Sequence, residues 1–381
     1  MKKQIIYLDH NATTPVDPRV LDEMLPYFSE KFGNASSVQH AYGWDAEEAV
    51  DISREKVARL IGAKPNEIVF TSGATEAINL ALFGLAESNP NKNHIITCET
   101  EHKAVLDSCA KLEKNGMQVT YLEVDNAGQV DLNKLEDNIT ERTLLVSIMH
   151  ANNEIGIIHP IAKIAEIIHK HRALFMTDAT QSVGKIPFDA HEVDLAVFSA
   201  HKMYGPKGVG ALFVNKSSGF DLNPRIFGGG HERGYRSGTL NIPGIVGFGK
   251  ACELCETEMG HEAERLGELR DWLEKELLQL GSIQINGKNS ERLPHMTNVS
   301  FHDIDGSKLI RSLNGLAVSQ GSACTSSTVE PSHVLKALGL SDELALSSLR
   351  IGLGRSTTKE EIEQAVQIIK KGVEQIRLQH S

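Results

Sequence analysis

Several features that mark other classes of protein are missing from this sequence. No apolar run approaches the roughly 18 residues that cross a membrane. The N-terminal stretch has two lysines but neither an apolar core nor a small-residue cleavage site, so we expect no signal peptide. Acidic residues outnumber basic ones by 50 to 39, which argues against nucleic acid or an anionic membrane as a direct partner. These properties, with 40% hydrophobic residues, predict a globular cytoplasmic enzyme.

Cysteine is scarce, and five cysteines do not make an even set for a disulfide framework. Cys98 and Cys109 lie in strand-like and helix-like segments, which is typical of small buried residues. Cys252 and Cys255 form a C-x-x-C motif, but no second pair follows at a matching spacing and the flanking sequence predicts a helix. We therefore favour a structural role for this pair over a zinc or redox site. Cys324 lies in a serine-rich segment with almost no apolar anchors, which is typical of an exposed, reactive thiol.

Strand-like and helix-like segments alternate along most of the chain. The pattern predicts helices at 44–61, 76–86, 103–112 and 161–172, and strands at 67–71, 94–98, 119–124, 144–149, 173–176 and 195–198. Such alternation builds an α/β fold with a mostly parallel sheet between helices. A helical pattern at 263–280 predicts the shift to a second domain, which has a strand at 297–301 and a last helix from Lys359. Thr357/Glu360 or Thr358/Glu361 would cap that helix, and residues 1–43 are predicted to be irregular.

Two of the predicted strands deliver polar residues at their carboxyl ends. The run 173–176 leads to Asp178, and the run 195–198 leads to Ser199, His201 and Lys202. Open α/β sheets bind ligands at that edge, so an acid and an amine arriving there suggest a site. Pyridoxal phosphate needs such a pair, a lysine that bonds to its aldehyde and an aspartate that keeps its pyridine nitrogen protonated. An ion pair that closes two strand ends explains these residues equally well.

A further segment is typical of an anion site. The strand-like run 67–71 is followed by Ser-Gly-Ala-Thr at 72–75 and then by a helix, which would point backbone N–H groups at an anion. An ordinary strand–helix turn is the alternative, and a phosphate is favoured only in combination with the acid and the lysine. His102 and residues 152–154 also follow predicted strands. His102 is either a surface histidine or an imidazole stacked on a planar cofactor as an acid or base.

Ten short motifs follow one another along nearly the whole chain: YLDHNATTP, FGNASS, TSGATEAIN, ETEHKAV, NNEIG, TDATQSVGK, SAHKMYGPKG, RSGT, SQGSACTSS and LRIGLGRSTT. Together they resemble the cysteine desulfurases of the NifS/IscS type, which are class V aminotransferase-like, fold-type I pyridoxal-phosphate enzymes. The resemblance implies a large cofactor-binding domain at 15–260 with a mostly parallel seven-stranded sheet between helices. It also implies a smaller α+β domain from 1–14 and 261–381, with the catalytic cysteine on a loop at about 319–331.

The same resemblance implies the contacts of pyridoxal 5'-phosphate. Lys202 bonds to the cofactor, Asp178 holds its pyridine N–H, and His102 stacks on its ring and transfers protons. Further contacts are implied for Gln181 on the phenolic oxygen, for Asn153 rather than Asn152 beside the cofactor, and for Ala74, Thr75, Ser199 and His201 on the phosphate. Thr239 would reach the phosphate of a neighbouring subunit, which implies a homodimer with shared sites.

On the substrate side, the resemblance implies that Arg350 clamps the carboxylate of L-cysteine and that Asn11 and Asn34 lie nearby. The Cys324 thiolate attacks the substrate sulfur and keeps it as a persulfide, and L-alanine leaves. An iron–sulfur scaffold protein or a carrier for tRNA thiolation would accept the sulfur. No permanent metal is implied, only a transient iron–sulfur role for Cys324.

Two kinds of alternative stay open. A selenocysteine lyase or another aminotransferase-fold enzyme would keep the fold and change the chemistry, although the long serine-rich loop around Cys324 favours desulfuration. A non-catalytic scaffold for sulfur-transfer partners would keep only the fold. The presence of Lys202, Asp178, His102 and Cys324 argues against that scaffold.

Overall fold

The structure, a computed structural model, describes residues 5–320 and 330–379. Its strands are β1 (Ile6–Tyr7), β2 (Ile68–Thr71), β3 (His94–Cys98), β4 (Gln118–Leu122), β5 (Thr143–Ser147), β6 (Leu174–Asp178), β7 (Leu195–Ser199), β8 (Gly210–Val214), β9 (Ile283–Ile285), β10 (Met296–Phe301), β11 (Leu316–Ala317) and β12 (Ser348–Gly352). Its α-helices are α1 (Pro18–Met24), α2 (Pro26–Ser29), α3 (Ala41–Leu60), α4 (Ala74–Ser88), α5 (Lys103–Lys114), α6 (Leu132–Asn138), α7 (Ile161–Lys170), α8 (Ile242–Leu278), α9 (Gly306–Ser312), α10 (His333–Ala337), α11 (Asp342–Leu346) and α12 (Lys359–Leu378). No helix in these two ranges combines the length and the apolar composition that crossing a membrane requires.

Among the described residues, seven strands form one mostly parallel sheet in the order β2-β8-β7-β6-β5-β3-β4. Only β8 runs against its neighbours in this sheet, pairing antiparallel with both β2 and β7. Strand side chains alternate between two apolar layers, since Leu145 and Val197 pack on one face and Val146 and Phe198 on the other. A sheet covered on both faces explains why β5, β6 and β7 read as continuous apolar runs. The predicted seven-stranded α/β fold is confirmed.

The long helix α8 begins at Ile242, so it joins the helix predicted around Cys252 and Cys255 to the helical pattern predicted at 263–280 and starts before both. Its first half is buried, is rich in glycine and packs on α1 and α3. A helix covered on most sides lacks the apolar stripe that reveals a helix in sequence. Asn241 caps its start by accepting a hydrogen bond from Gly244 N at 3.2 Å.

A second apolar core surrounds the antiparallel sheet β12-β10-β9. The apolar stripe of α12 is buried in this core: Ile362, Val366, Ile369, Val373 and Ile376. The predicted capping box of Thr358 and Glu361 is confirmed, with Glu361 N donating to Thr358 Oγ1 at 3.2 Å and Thr358 N donating to Glu361 Oε2 at 3.0 Å.

The N-terminal region is more regular than predicted. Strand β1 pairs in parallel with β11, and Leu8 joins the second core. Helix α1 begins at Pro18, with Asp17 accepting a hydrogen bond from Arg19 N. An aspartate followed by proline is a helix-start signal that the short length of α1 obscured. Because the second core takes in this N-terminal strand, we propose the domain limits as residues 15–260 for one domain and residues 1–14 with 261–381 for the other.

Candidate active site

A pocket of about 260 Å³ lies beyond the carboxyl ends of β6 and β7. Eleven residues singled out from the sequence line it: Asn11, Ala74, Thr75, His102, Asn153, Asp178, Gln181, Ser199, His201, Lys202 and Arg350. Most of them stand at strand ends or in the turns that follow, so the order of parallel strands brings together side chains that are distant in sequence. Arg350 reaches the pocket from β12, so the second core supplies one wall.

The acid and the amine of the predicted pair both face this pocket. Asp178 is buried, and its Oδ1 accepts a hydrogen bond from Thr180 N at 2.9 Å. The amine of Lys202 donates to the main-chain carbonyl oxygens of Asn11 at 2.6 Å and Ala12 at 2.7 Å. These two carbonyl contacts place the amine at the edge of the pocket, where a carbonyl compound can reach it.

The opposite end of the pocket has the chemistry of an anion site. Helix α4 begins at Ala74 directly after Gly73, whose φ of 153° suits glycine. Ala74 N donates to Ser199 Oγ at 2.7 Å, which brings the end of β7 against the helix start. The positive end of a 15-residue helix and these small side chains suit a phosphate.

His201 stands beside the anion site with its imidazole neutral. Burial, together with the nearby Lys202 and Lys207 charges, lowers the pKa of His201 to about 4. Its Nδ1 lies 3.0 Å from Thr13 Oγ1, which fixes the ring. A neutral imidazole held in this way can offer a single N–H to a ligand oxygen.

His102 is the N-cap residue of α5, and its Nδ1 accepts a hydrogen bond from Ala104 N at 3.1 Å. Loss of hydration lowers the pKa of His102, and the Lys202 ammonium acts in the same direction, while the Asp178 carboxylate opposes both. Because Nδ1 accepts, the proton of the neutral ring lies on Nε2. His102 thus presents an N–H donor to the pocket.

Gln181 and Asn11 hold each other at the wall of the pocket. Asn11 Nδ2 donates to Gln181 Oε1 at 3.3 Å, and Gln181 Nε2 donates to the Asn11 carbonyl oxygen at 3.1 Å. Both residues are buried. Their amide planes are therefore fixed before any ligand arrives.

The two neighbouring asparagines have different surroundings. Asn152 is fully buried, and its Oδ1 accepts hydrogen bonds from the main-chain nitrogens of Glu154 at 2.8 Å and Ile155 at 3.0 Å. Asn153 lines the pocket, and its carbonyl oxygen accepts a hydrogen bond from Arg350 Nη1 at 3.2 Å. Asn152 therefore shapes the turn, and Asn153 is the member of the pair that a ligand would meet.

Arg350 is 6% exposed, yet it lines the pocket. Its Nη2 pairs with Asp9 Oδ1 at 2.9 Å. Its Nε is buried without a hydrogen-bond partner among the described residues. A guanidinium with an unfilled donor beside an open pocket is suited to a carboxylate ligand.

Two predicted residues lie away from this pocket, and a third falls outside the residues that the structure describes. Asn34 is exposed and accepts a hydrogen bond from Ser36 N at 3.0 Å, away from the pocket of this chain. Thr239 is also exposed and does not line this pocket. Cys324 lies outside the described residues. The roles of all three remain predictions.

Sequence reasoning missed two acids next to predicted site residues. Asp9 contacts Arg350, and Glu101 is fully buried beside His102, with its Oε1 accepting from Met149 N at 2.5 Å. Burial raises the pKa of Glu101 well above its usual range, and the nearby Asp178 charge raises it further. A raised pKa favours the protonated form of Glu101, which would add no second negative charge to this side of the pocket. Asp9 could have been noticed as the acid in YLDHNATTP, and Glu101 as the acid directly before His102. Their positions in the sequence do not reveal that they contact Arg350 and Met149.

The cysteines of the C-x-x-C motif lie on α8, in the helix that the flanking sequence predicts. Cys252 and Cys255 are both buried, and burial raises the pKa of both thiols. Cys252 Sγ lies 3.8 Å from Met203 Sδ, a packing contact. Within the part of the chain that the structure describes, no group of three or more His, Cys, Asp or Glu side chains could hold a metal ion.

The residues of the pocket fit pyridoxal phosphate. The start of α4 with Thr75, Ser199 and His201 suits the phosphate, the buried Asp178 carboxylate suits a pyridinium, and the Lys202 amine suits an aldehyde. The hydroxyl oxygen of Thr180 is buried in the same pocket, with no partner among the described residues, and a ligand there would satisfy it.

Comparison with known proteins agrees with this geometry. The family model for aminotransferase class-V matches residues 6–365. The cysteine desulfurase IscS of Anaeromyxobacter sp. (strain Fw109-5) is 54% identical over 376 residues, covering 98% of this chain and 93% of that protein. The cysteine desulfurase IscS of Edwardsiella ictaluri (strain 93-146) is 51% identical over 377 residues, with the same coverage of both chains.

Solved structures agree as well. A NifS-like protein superposes with a TM-score of 0.90 at 42% identity, covering 97% of this chain and 99% of that one. The structure described as SspA in complex with cysteine gives a TM-score of 0.82 at 39% identity, covering 91% and 98%. With a family match over most of its length and relatives above half identity, the chain belongs to the class-V aminotransferase family and, within it, to the cysteine desulfurases of the NifS/IscS type.

Proposed function

We propose that this protein is a pyridoxal-phosphate-dependent cysteine desulfurase that converts L-cysteine to L-alanine and keeps the sulfur as a persulfide on Cys324. The observation that carries this proposal is one pocket lined by Asp178, Lys202 and the Arg350 guanidinium. The arginine would bind the substrate carboxylate, and the substrate amine would then face the cofactor. When bound, the cofactor supplies an electron sink that acidifies the substrate Cα–H.

Other residues around the pocket would bind the cofactor and transfer protons. Asp178 would hold the proton of the pyridine nitrogen, and the anion site at the start of α4 would hold the phosphate. Lys202, whose amine contacts the carbonyl oxygens of Asn11 and Ala12 at the pocket, would move the Cα proton. His102 would donate from Nε2, because its Nδ1 is engaged with Ala104 N.

Cys324 would carry out the sulfur step. Its thiolate attacks the substrate sulfur, the substrate C–S bond breaks, and its electron pair ends as a C–H bond of alanine, so the thiol becomes a persulfide and no external oxidant is needed. Ser319 pairs with Arg350 through Arg350 N donating to Ser319 O at 2.7 Å. Cys324 follows Ser319 by five residues, and five extended residues span about 17 Å. This length of chain would let Cys324 reach a substrate held by Arg350.

The proposal extends to the setting of the enzyme. We propose a cytoplasmic homodimer in which Thr239 completes the partner's phosphate site. Exposed aromatic side chains support an interface, among them Phe28, Phe32 and Phe227 at 62%, 63% and 79% exposure. We propose an iron–sulfur scaffold or a tRNA-thiolation carrier as the sulfur acceptor, consistent with relatives named cysteine desulfurase IscS.

The central test replaces Cys324 with alanine. Cys324→Ala should keep the absorbance of the bound cofactor but release alanine and sulfide from L-cysteine at less than about 1% of the parent rate, because the sulfur acceptor is gone. Ser327→Ala, in the same serine-rich segment, is the matched control and should turn over normally. Desulfuration by Cys324→Ala at the parent rate contradicts the role of Cys324, and a parent protein that gives no alanine contradicts the function itself.

A further inference from the structure

A partly buried acid supports the arginine that lines the pocket. Asp9 Oδ1 lies 2.9 Å from Arg350 Nη2, and the two side chains are only 20% and 7% exposed. We propose that Asp9 is a positioning residue, which orients the Arg350 guanidinium so that it can receive the substrate carboxylate. This inference rests on the proposed function, because it concerns how that substrate is bound.

The main chain fixes Asp9 next to Arg350. Gly352 N donates to Leu8 O at 2.8 Å, and His10 N donates to Gly352 O at 3.2 Å, so the residues on both sides of Asp9 are bonded to one position of β12. Gly352 lies two residues after Arg350 on β12. Because side chains alternate between the two faces of a strand, these two positions lie on the same face. The carboxylate is thus delivered to the guanidinium by strand geometry.

A second donor holds the same carboxylate oxygen. Ser319 Oγ donates to Asp9 Oδ1 at 3.1 Å, and Ser319 is itself buried and bonded through its main chain to Arg350. Asp9 therefore accepts from two neighbours that are themselves fixed. A carboxylate restrained in this way can impose an orientation on a flexible arginine.

The guanidinium is held at both of its Nη atoms, while its Nε–H makes no hydrogen bond to a described residue. One Nη2 hydrogen serves Asp9, and Nη1 donates to the Asn153 carbonyl oxygen at 3.2 Å. The buried Nε–H has no partner among the described residues, and Arg350 lines the pocket. An arginine has five N–H donors, so these contacts leave donors for a ligand carboxylate.

A competing role for Asp9 predicts the opposite effect of its removal on substrate binding. If Asp9 merely occupied the place of the substrate carboxylate, its removal would strengthen substrate binding. The observed arrangement favours positioning, because the contacts to Asp9 and Asn153 leave Nε–H unfilled. Without Asp9, the buried guanidinium would lose its charge partner and could turn away from the pocket.

The test compares the cofactor-loaded parent with Asp9→Ala, Asp9→Asn and Ser319→Ala, using L-cysteine and cysteamine, which has the same thiol and amine but no carboxylate. We expect Asp9→Ala to raise the KM for L-cysteine about 10-fold or more while kcat changes less than about 3-fold, as for loss of a binding contact. The concentration of cysteamine that half-saturates the change in cofactor absorbance should not move. Asparagine keeps an acceptor oxygen, so Asp9→Asn should recover most of the affinity for L-cysteine.

The decisive quantity is the KM for L-cysteine divided by the concentration of cysteamine that half-saturates the change in cofactor absorbance. A raised ratio in Asp9→Ala supports the proposal, and an unchanged or lowered ratio overturns it. If Asp9→Ala does not fold, Ser319→Ala decides by the same ratio. Asp22→Ala on α1 is the control that should match the parent. A parent that releases no alanine from L-cysteine contradicts the desulfurase function alone, and the ratio is then measured with L-alanine and ethylamine as ligands.

Discussion

His102 joins two tasks in one side chain. Its Nδ1 closes the first turn of α5 by accepting from Ala104 N, and this contact directs the proton of the neutral ring to Nε2 on the pocket side. Acting as a base through Nε2 would require the other tautomer and would break the helix cap. The local structure thus favours a histidine that stacks and donates while the lysine amine moves the substrate proton.

Two substitutions at His102 should separate these tasks. His102→Asn keeps a good capping oxygen and should leave the free energy of unfolding within about 0.5 kcal/mol of the parent, whereas His102→Ala should lose about 1 kcal/mol. Both should lower kcat, because the imidazole is gone. Urea unfolding and alanine release measure the two effects. Equal stability of the two variants would argue against the cap, and parent-like turnover in either would argue against the catalytic role.

At the scale of elements, α8 and α3 approach closely because one glycine faces the contact. A Cβ at Gly249 would lie 2.8 Å from Ser53 Cα on α3, whereas a Cβ at Gly260, on the same helix, would meet no atom within 4 Å. The two glycines therefore have different effects on the structure. Gly249 permits packing beneath the large sheet, and Gly260 only weakens the helix.

Alanine at these two positions should change stability in opposite directions. Gly260→Ala should raise the free energy of unfolding by up to about 1 kcal/mol through helix propensity. Gly249→Ala should lower it by about 1–3 kcal/mol, because the backbone of α3 must move. Urea denaturation followed by circular dichroism gives both values. If both variants gain stability, the close contact between the helices is not limiting.

Elements with a strong local pattern were predictable from sequence. Strand β3 and the start of α12 agree with the prediction, because a buried apolar run and a capping box are local signals. The start of α8 was not predictable, since a helix buried on most sides has no stripe. The contact between Asp9 and Arg350 joins residues 341 apart, and no spacing in the sequence encodes it. Pocket residues at strand ends could be predicted, and the residues that support them could not.

For the whole molecule, the exposed aromatic surface bears on assembly. Phe32 and Tyr42 pack against each other with ring centroids 5.3 Å apart, yet both remain exposed. Phe227 is 79% exposed and begins the glycine-rich stretch that ends with Thr239. An interface through Phe227 would carry Thr239 towards a partner, which links assembly to the proposed shared site.

Charge placed on this surface should therefore dissociate the protein. Phe227→Asp should sediment as a monomer at low micromolar concentration and lose most activity, because a buried charge opposes the interface and Thr239 leaves the partner's site. Leu378→Asp is the matched control, since Leu378 is 77% exposed near the end of α12. Analytical ultracentrifugation compares the two. A Phe227→Asp dimer as stable as that of Leu378→Asp would place the interface elsewhere.

The pairing of β1 with β11 has a consequence for how the protein is made. Ile6 lies opposite Leu316, so the first strand leaves the ribosome long before its partner exists. At about 5–20 residues per second, the 341 residues that follow Asp9 up to and including Arg350 take about 20–70 s to translate. The strands of the large sheet can pair during that time, whereas the arginine wall of the pocket must wait. The nascent chain therefore acquires its proposed substrate site among the last events of biosynthesis.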